Sequence, residues 1–188
     1  LPTGKQTAFM LDEAYNSTVP EVQNSHRTQF VRDSIIRDGW LWVPSVAVWT
    51  PKGIKNPGMY AVFDEKGEGL ARIYTREELE DRLSKSSTEK GVRFSQDRTV
   101  AFAPLNTIKA RDHNKGTLAQ DGAFVAMYGV EGAENLDKVA NRFTFKPYSW
   151  IVDNNSNQNI QRLSALSGDR DLSGYWLDAN FDSGGDDR

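Results

Sequence analysis

An apolar stretch at residues 39–50, which reads GWLWVPSVAVWT, stands out in the hydrophobic pattern of the chain. Its apolar residues are continuous, so an extended strand here would be apolar on both faces. One face would carry Trp40, Trp42, Val46 and Val48, and the other Leu41, Val43, Ala47 and Trp49. Such a strand needs cover on both sides. Pro44 donates no hydrogen bond, which places it at a bulge, an edge or a break between two short strands.

Further strands are predicted at residues 59–63, 70–74, 92–95, 99–103, 123–128 and 143–152. The first four form two hairpins, because polar turn segments separate them in pairs. The residues at 123–128 are apolar throughout, which predicts a second central strand. The last segment changes phase at Pro147, as a β-bulge would, and is predicted to be one bent strand.

Capping residues and apolar spacing predict three or four short helices, at residues 25–38, 75–83, 132–141 and 160–168. Ser25 can cap the first helix. Thr75 and Glu78 fit the capping box at the start of the second. The fourth helix is predicted because Ile160, Leu163 and Leu166 recur at helical spacing.

These elements predict an α+β fold with a mostly antiparallel sheet of about seven short strands. The order of elements from residue 40 to residue 103 would also fit a small OB-type barrel. We expect an N-terminal arm at residues 1–18, a single domain at 19–181 and a flexible acidic tail at 182–188.

Composition narrows the possible functions. The 188 residues are 38% apolar and 26% charged, which is typical of a soluble globular domain. A net charge of −3 argues against a dedicated duplex-DNA binder. The absence of cysteine excludes disulfides, thiol catalysis and thiolate metal sites. No apolar run is long enough for a membrane span, and no signal-peptide pattern is present. The sequence does not determine the cellular compartment, nor whether the chain is processed before Leu1.

Catalytic and metal sites have little support in the sequence. His26 and His113 are both expected at the surface, and no nucleophile-elbow motif is present. The residues Asp169, Asp171 and Ser173, followed by Gly174, match the first half of a calcium loop. Asx-rich turns explain the same pattern without a metal. We therefore assign no catalytic residue, metal or cofactor, and leave calcium binding by this segment open.

Six residues are candidates for a binding surface, namely Trp40, Trp42, Trp49, Tyr60, Arg72 and Tyr74. Exposed aromatic rings beside positive charge would suit stacking with single-stranded nucleic acid. The simpler explanation is that the aromatic residues belong to the core.

The leading functional hypothesis is a non-catalytic binding or assembly module with a partly exposed apolar sheet. Its partner would be a second copy or a larger protein assembly. The alternative is an OB-type protein that binds single-stranded nucleic acid. A hydrolase with an unrecognised site is the third hypothesis. None of these functions requires a membrane.

Overall fold

The structure, a computed structural model, describes residues 2–36, 41–63, 71–171 and 174–183 of the chain. Within these residues the chain forms five α-helices and nine β-strands, which confirms the predicted α+β class. The helices are α1 (Gly4–Asn16), α2 (Pro20–Gln23), α3 (His26–Ile36), α4 (Arg76–Arg82) and α5 (Gly122–Ala140). The strands are β1 (Leu41–Trp49), β2 (Gly58–Phe63), β3 (Ser87–Glu89), β4 (Val92–Phe94), β5 (Val100–Pro104), β6 (Arg111–Asp112), β7 (Tyr148–Trp150), β8 (Ile160–Asp171) and β9 (Gly174–Ser183). None of the described helices is both long enough and apolar enough to cross a membrane.

All nine strands belong to one sheet, in the order β3-β4-β5-β2-β1-β8-β9-β7-β6. Neighbouring strands are antiparallel except β7 and β9, which are parallel. Strands β1 to β5 are all antiparallel and lie in the order β1-β2-β5-β4-β3, and among the described strands no pairing closes them into the OB-type barrel considered for residues 40–103. Strands β8 and β9 come last in the chain but lie between β1 and β7.

One face of the sheet, called the inner face below, is covered by α1 and α5. The main core lies there, and its largest fully buried side chains include Trp49, Phe124, Tyr128, Leu136 and Phe181. Burial of each such side chain stabilises the fold by about 1.5–3 kcal/mol. The inner face thus accounts for most of the apolar burial.

The opposite face, called the outer face below, carries a smaller core. Leu79 and Leu83 pack there with side chains of β1, β2 and β5, among them Val46, Tyr60 and Phe102. Among the described residues, β7 and β9 contribute no side chain to this cluster. The outer core therefore covers only part of the width of the sheet.

Residues 4–16, within the segment expected to be an arm, form helix α1. Thr3 and Gln6 make a capping box, in which the Gln6 N–H donates to Thr3 Oγ1 at 3.2 Å and the Thr3 N–H donates to Gln6 Oε1 at 2.9 Å. Ala8 and Leu11 are fully buried in the inner core. This segment therefore contributes to the packing of the main domain.

Strand β1 confirms the predicted position of Pro44. The register of β1 against β8 shifts between Val43 and Val46, so the proline lies in a bulge. Val43, Ala47 and Trp49 belong to the inner core, as the alternation of the sequence predicts. Trp40 lies outside the described residues.

Two predicted helix starts and one hairpin are also confirmed. The Thr28 N–H donates to Ser25 Oγ at 3.1 Å at the start of α3, and the Glu78 N–H donates to Thr75 Oγ1 at 3.2 Å at the start of α4. The hairpin of β4 and β5 pairs antiparallel at the predicted place.

The prediction of a central strand at 123–128 is wrong, because these residues form the first turns of α5. Asp121 caps this helix, with its Oδ1 accepting from the N–H groups of Ala123 at 2.9 Å and Phe124 at 3.3 Å. The helix is broken at Gly129, whose φ of 73° and ψ of 168° are not helical. The helix predicted at 132–141 is confirmed as its second part.

The final predicted helix is wrong too, since these residues form strand β8. Ile160 and Leu166 contact the inner core, whereas Leu163 contacts the outer core. A spacing of three places successive side chains on opposite faces of a strand. Because both faces of β8 are covered here, side chains on either face can be apolar. A spacing of three between apolar residues then looks like the pattern of a helix.

Two predicted strands are shorter than expected or missing. The bent strand predicted at 143–152 is reduced to the three residues of β7. Residues 71–74 form no strand; the side chain of Gln161 instead accepts from the Tyr74 N–H at 2.6 Å and donates to the Arg72 carbonyl at 2.9 Å. This amide satisfies backbone groups that a neighbouring strand would otherwise satisfy.

Candidate binding surface

Three of the predicted binding residues are buried and have structural roles. Trp49 is 1% exposed, and its Nε1–H donates to the Phe181 carbonyl at 3.0 Å. Tyr60 and Tyr74 lie in the outer core. The Tyr60 hydroxyl donates to Glu80 Oε1 at 2.5 Å, and burial together with this carboxylate raises the pKa of Tyr60. These rings are therefore not available for stacking with a ligand.

Arg72 also takes part in contacts within the chain. Its guanidinium forms an ion pair with Glu78 and lies over the Tyr74 ring, 4.9 Å from the ring centroid. The cation–π contact and the ion pair hold this side chain against the start of α4.

Strand β1 is better covered than its sequence suggests. From Ser45 to Trp49 every residue is buried, with the inner core on one side and the outer core on the other. The chain therefore covers most of the apolar stretch by itself. The exposed apolar surface lies instead at the beginning of the strand, where Trp42 is 40% exposed.

Trp42 lies at one end of a row of residues that crosses four strands. It is paired with Ala165 on β8, which is paired with Asn180 on β9, which is paired with Trp150 on β7. Paired residues on neighbouring strands point to the same side of the sheet. The row lies on the outer face, because Ala165 is two residues from Leu163, which contacts the outer core.

Trp150, at the other end of this row, is 50% exposed. Its ring lies 5.1 Å from the ring of Tyr148, measured between centroids. Three strand spacings separate Trp42 from Trp150, or about 14 Å. We call Trp42, Ala165, Asn180, Trp150 and the adjacent Tyr148 the aromatic row.

Trp150 is not among the binding residues predicted from the sequence. Alternation of Tyr148, Trp150 and Val152 is visible in the sequence, but nothing local shows that β7 pairs with β9, 30 residues further along. The pairing that aligns Trp150 with Trp42 is a long-range feature of the sheet.

The edges of the sheet are poor templates for a further strand. The edge strands β3 and β6 have three and two residues, and Arg111 in β6 has a positive φ of 67°. Short, irregular edges oppose pairing with another chain. The described edges of the sheet therefore offer little to an added strand.

The prediction that His113 lies at the surface is wrong. The side chain is 1% exposed, and its Nε2 lies 2.8 Å from Ser149 Oγ. Ser149 Oγ also lies 3.1 Å from the Lys109 carbonyl; when it donates there, His113 Nε2 is the donor to Ser149. Burial, with the charge of Lys109, lowers the pKa of His113 to about 4.

The distance of this histidine–serine contact would suit a catalytic pair, but its surroundings do not. Ser149 Oγ also lies within hydrogen-bond distance of the Lys109 carbonyl, and both side chains are buried. A hydrolase would need a serine that the histidine can deprotonate and that substrate can reach. The hypothesis of a hydrolase therefore gains no support from His113.

The calcium-loop pattern lies where β8 meets β9. Asp169 and Asp171 belong to β8, and Asp171 pairs with Gly174 at the start of β9. Ser173 is outside the described residues. In the part of the chain that the structure describes, no three residues among His, Asp and Glu come together as a metal site.

No protein-family model matches the chain, and no curated protein sequence matches it. A solved structure described as "Accommodation of massive sequence variation in Nanoarchaeota by the C-type lectin fold" can be superposed with a TM-score of 0.49. The identity is 13%, over 95% of this chain and 82% of that one. Similarity at this level carries no conclusion about function, which has to be argued from the residues of the chain itself.

Proposed function

We propose that the protein is a non-catalytic binding or assembly module that contacts a protein partner through the aromatic row. The observation that carries the proposal is the exposure of Trp42 and Trp150, 40% and 50%, on one face of the sheet. Tryptophan and tyrosine are enriched at protein interfaces and supply much of their binding energy. Two tryptophans and a tyrosine on one rigid sheet suit such a contact.

A second copy of the chain is the partner that we propose. Homo-oligomers with a two-fold axis are the commonest assemblies, and their interfaces use the same patch on both copies. The net charge of −3 gives only weak repulsion between copies. A stable interface buries about 800 Å² on each partner, so the aromatic row would form its centre and neighbouring polar residues its rim.

Sedimentation velocity tests this proposal over protein concentrations from about 1 µM to about 1 mM, the range of weak to moderate association. We expect the mass to rise with concentration for the wild-type chain. The variant Trp150→Ser should remain monomeric, because it removes the largest exposed ring of the row.

The matched control is Phe9→Ser. Phe9 is an exposed aromatic residue of similar accessibility, 54%, on α1 at the inner side of the sheet. This variant should associate like the wild-type chain. A wild-type chain that stays monomeric at the highest concentration would refute self-association.

Acrylamide quenching of tryptophan fluorescence gives a second readout of the same surface. Quenching should weaken as the chain associates, because Trp42 and Trp150 lose solvent contact while Trp49 is buried throughout. A fluorescence change on adding oligothymidylate that disappears with salt would instead favour the nucleic-acid alternative.

A further inference from the structure

A cleft of about 700 Å³ lies between the inner face of the sheet and α5. It is on the opposite side of the sheet from the aromatic row, so it is independent of the proposed function. Its volume is within the range of small-molecule sites, about 300–1,000 Å³.

Small residues on both walls create this space. The sheet contributes Ser45, Ala61 and Ala101, and α5 contributes Ala126 and Gly129. Protein interiors are normally packed without voids of this size. Where these small residues face each other, helix and sheet do not close on each other, although larger side chains such as Phe94 and Met127 also line the cleft.

The floor of the cleft is apolar, with Phe94 and Met127 beside the small residues. Both side chains belong to the inner core, and only a small part of each, 5% of Phe94 and 6% of Met127, is exposed where they line the cleft. An apolar group that enters the cleft would therefore be removed from water on several sides.

The rim of the cleft carries an excess of negative charge. Six charged residues line it, two of them basic and four acidic: Lys5, Arg98, Glu89, Asp97, Glu131 and Glu134. The two basic groups are already neutralised, since Lys5 pairs with Glu131 at 2.7 Å and Arg98 pairs with Glu89.

Among the described residues, Asp97 and Glu134 are the rim carboxylates that form no salt bridge, and Asp97 also lies near the positive charge of Arg82. Hydrogen bonds from Ser95 and Thr99 lower the pKa of Asp97 to about 2, so it is ionised at any physiological pH. Glu134 lies on the second part of α5, one turn after Glu131. Both carboxylates attract a cation and repel an anion at the mouth of the cleft.

We propose that this cleft binds a small molecule with an apolar body and one protonated amine. The apolar body would occupy the floor between Phe94 and Met127, and the ammonium group would lie at the rim near Glu134. An anionic molecule of the same size would meet the carboxylates of the rim, which outnumber its basic groups by four to two, and bind more weakly.

Three probes of the same size and shape test the charge preference, namely 2-phenylethylamine, 2-phenylethanol and phenylacetate. The affinity of each is measured by isothermal titration calorimetry on the wild-type chain. We expect the amine to bind about tenfold more tightly than the alcohol, as one favourable charge contact would give. Phenylacetate should bind more weakly than the alcohol.

Methionine methyl signals locate the site, because the chain has three methionines. With ¹³C-methyl methionine labelling, 2-phenylethylamine should shift the signal of Met127, which lines the cleft. The signals of Met10 and Met59, which do not line it, serve as internal references and should stay in place.

Two substitutions separate the floor from the rim. Ala101→Leu fills the floor and should abolish binding of all three probes. Glu134→Gln should reduce amine affinity to that of the alcohol and leave the alcohol unchanged. The control Glu77→Gln removes an exposed carboxylate on α4, at the outer side of the sheet, and should change nothing.

The proposal is overturned if no probe binds at millimolar concentration, or if the three probes bind equally. It is also overturned if binding leaves the Met127 signal unmoved. Should Ala101→Leu fail to fold, the Met127 signal and the Glu134→Gln variant still decide the outcome, because Glu134 is exposed and its substitution leaves the core intact.

Discussion

Replacement of Gly129 by alanine tests whether the break in α5 is a strained feature that only glycine tolerates. With φ of 73° and ψ of 168°, this residue lies in a region that is nearly restricted to glycine. A side chain there costs about 1–3 kcal/mol of backbone strain. The methyl group itself has room, because nothing lies within 4 Å of its expected position. Alanine also restricts the unfolded chain, which offsets about 0.4–1 kcal/mol.

We therefore expect Gly129→Ala to lower the free energy of unfolding by about 1–2 kcal/mol, the balance of these two effects. Urea unfolding followed by tryptophan fluorescence and circular dichroism measures the change. Gly53→Ala is the matched control, because its methyl group also meets nothing within 4 Å and its φ is not in the left-handed region. That variant should be neutral or slightly stabilised. If Gly129→Ala is as stable as Gly53→Ala, the break in α5 stores no strain and the reasoning is wrong.

Three further predictions concern buried polar groups. The pKa of His113 is about 4 in the folded chain, against an ordinary value of 6.5. Between these pH values the unfolded chain binds a proton that the folded chain does not bind, so the free energy of unfolding falls as the pH is lowered through this range. His113→Phe should reduce this loss by about 3 kcal/mol in urea unfolding compared at pH 6.5 and pH 4. Trp49→Phe should cost about 2–3 kcal/mol, because it leaves space in the core and a carbonyl of β9 without its donor; Trp150→Phe, at an exposed site, should cost less than about 0.5 kcal/mol in the same assay. Asp137→Ala should cost about 2–4 kcal/mol, because the carboxylate accepts three backbone N–H groups in the segment 116–119. Faster amide exchange in that segment would accompany the loss.

Local signals in the sequence predicted the parts of the fold that local chemistry determines. Ser25 and Thr75 begin helices because their hydroxyls satisfy backbone N–H groups three residues later. Pro44 lies in a bulge because it cannot donate to a neighbouring strand. The α+β class follows from the same signals taken together.

Burial on both faces explains the elements that were mistaken. Residues Gly122 to Tyr128 are all buried, so the first part of α5 has no polar face to show the helical period in the sequence. The one usable signal was the cap Asp121, which precedes the apolar run. Strand β8 was mistaken for a helix for the related reason that Leu163 and Leu166 meet different cores.

Of the residues in the aromatic row, only Trp42 was predicted from the sequence as a binding residue. Trp49, Tyr60 and Tyr74 are aromatic residues of similar sequence context, and a single chain gives no means of telling a core ring from an exposed one. The parallel pairing of β7 with β9 places Trp150 in the same row as Trp42, and this pairing depends on the whole topology. The cleft at Gly129 likewise depends on a helix and a sheet that are distant in sequence.

The order of the strands has a consequence for how the molecule assembles. Among the described strands, the two halves of the sheet, β3-β4-β5-β2-β1 and β7-β6, are joined only through β8 and β9. During synthesis β8 and β9 emerge after both halves. The edges of β1 and β7 therefore stay unpaired until β8 and β9 are available to pair with them. Loss of β8 and β9 would therefore divide the sheet into two pieces, whereas the loss of edge strands would only make it narrower. Folding should be slow for the size of the chain, because its central pairings join residues more than 100 positions apart.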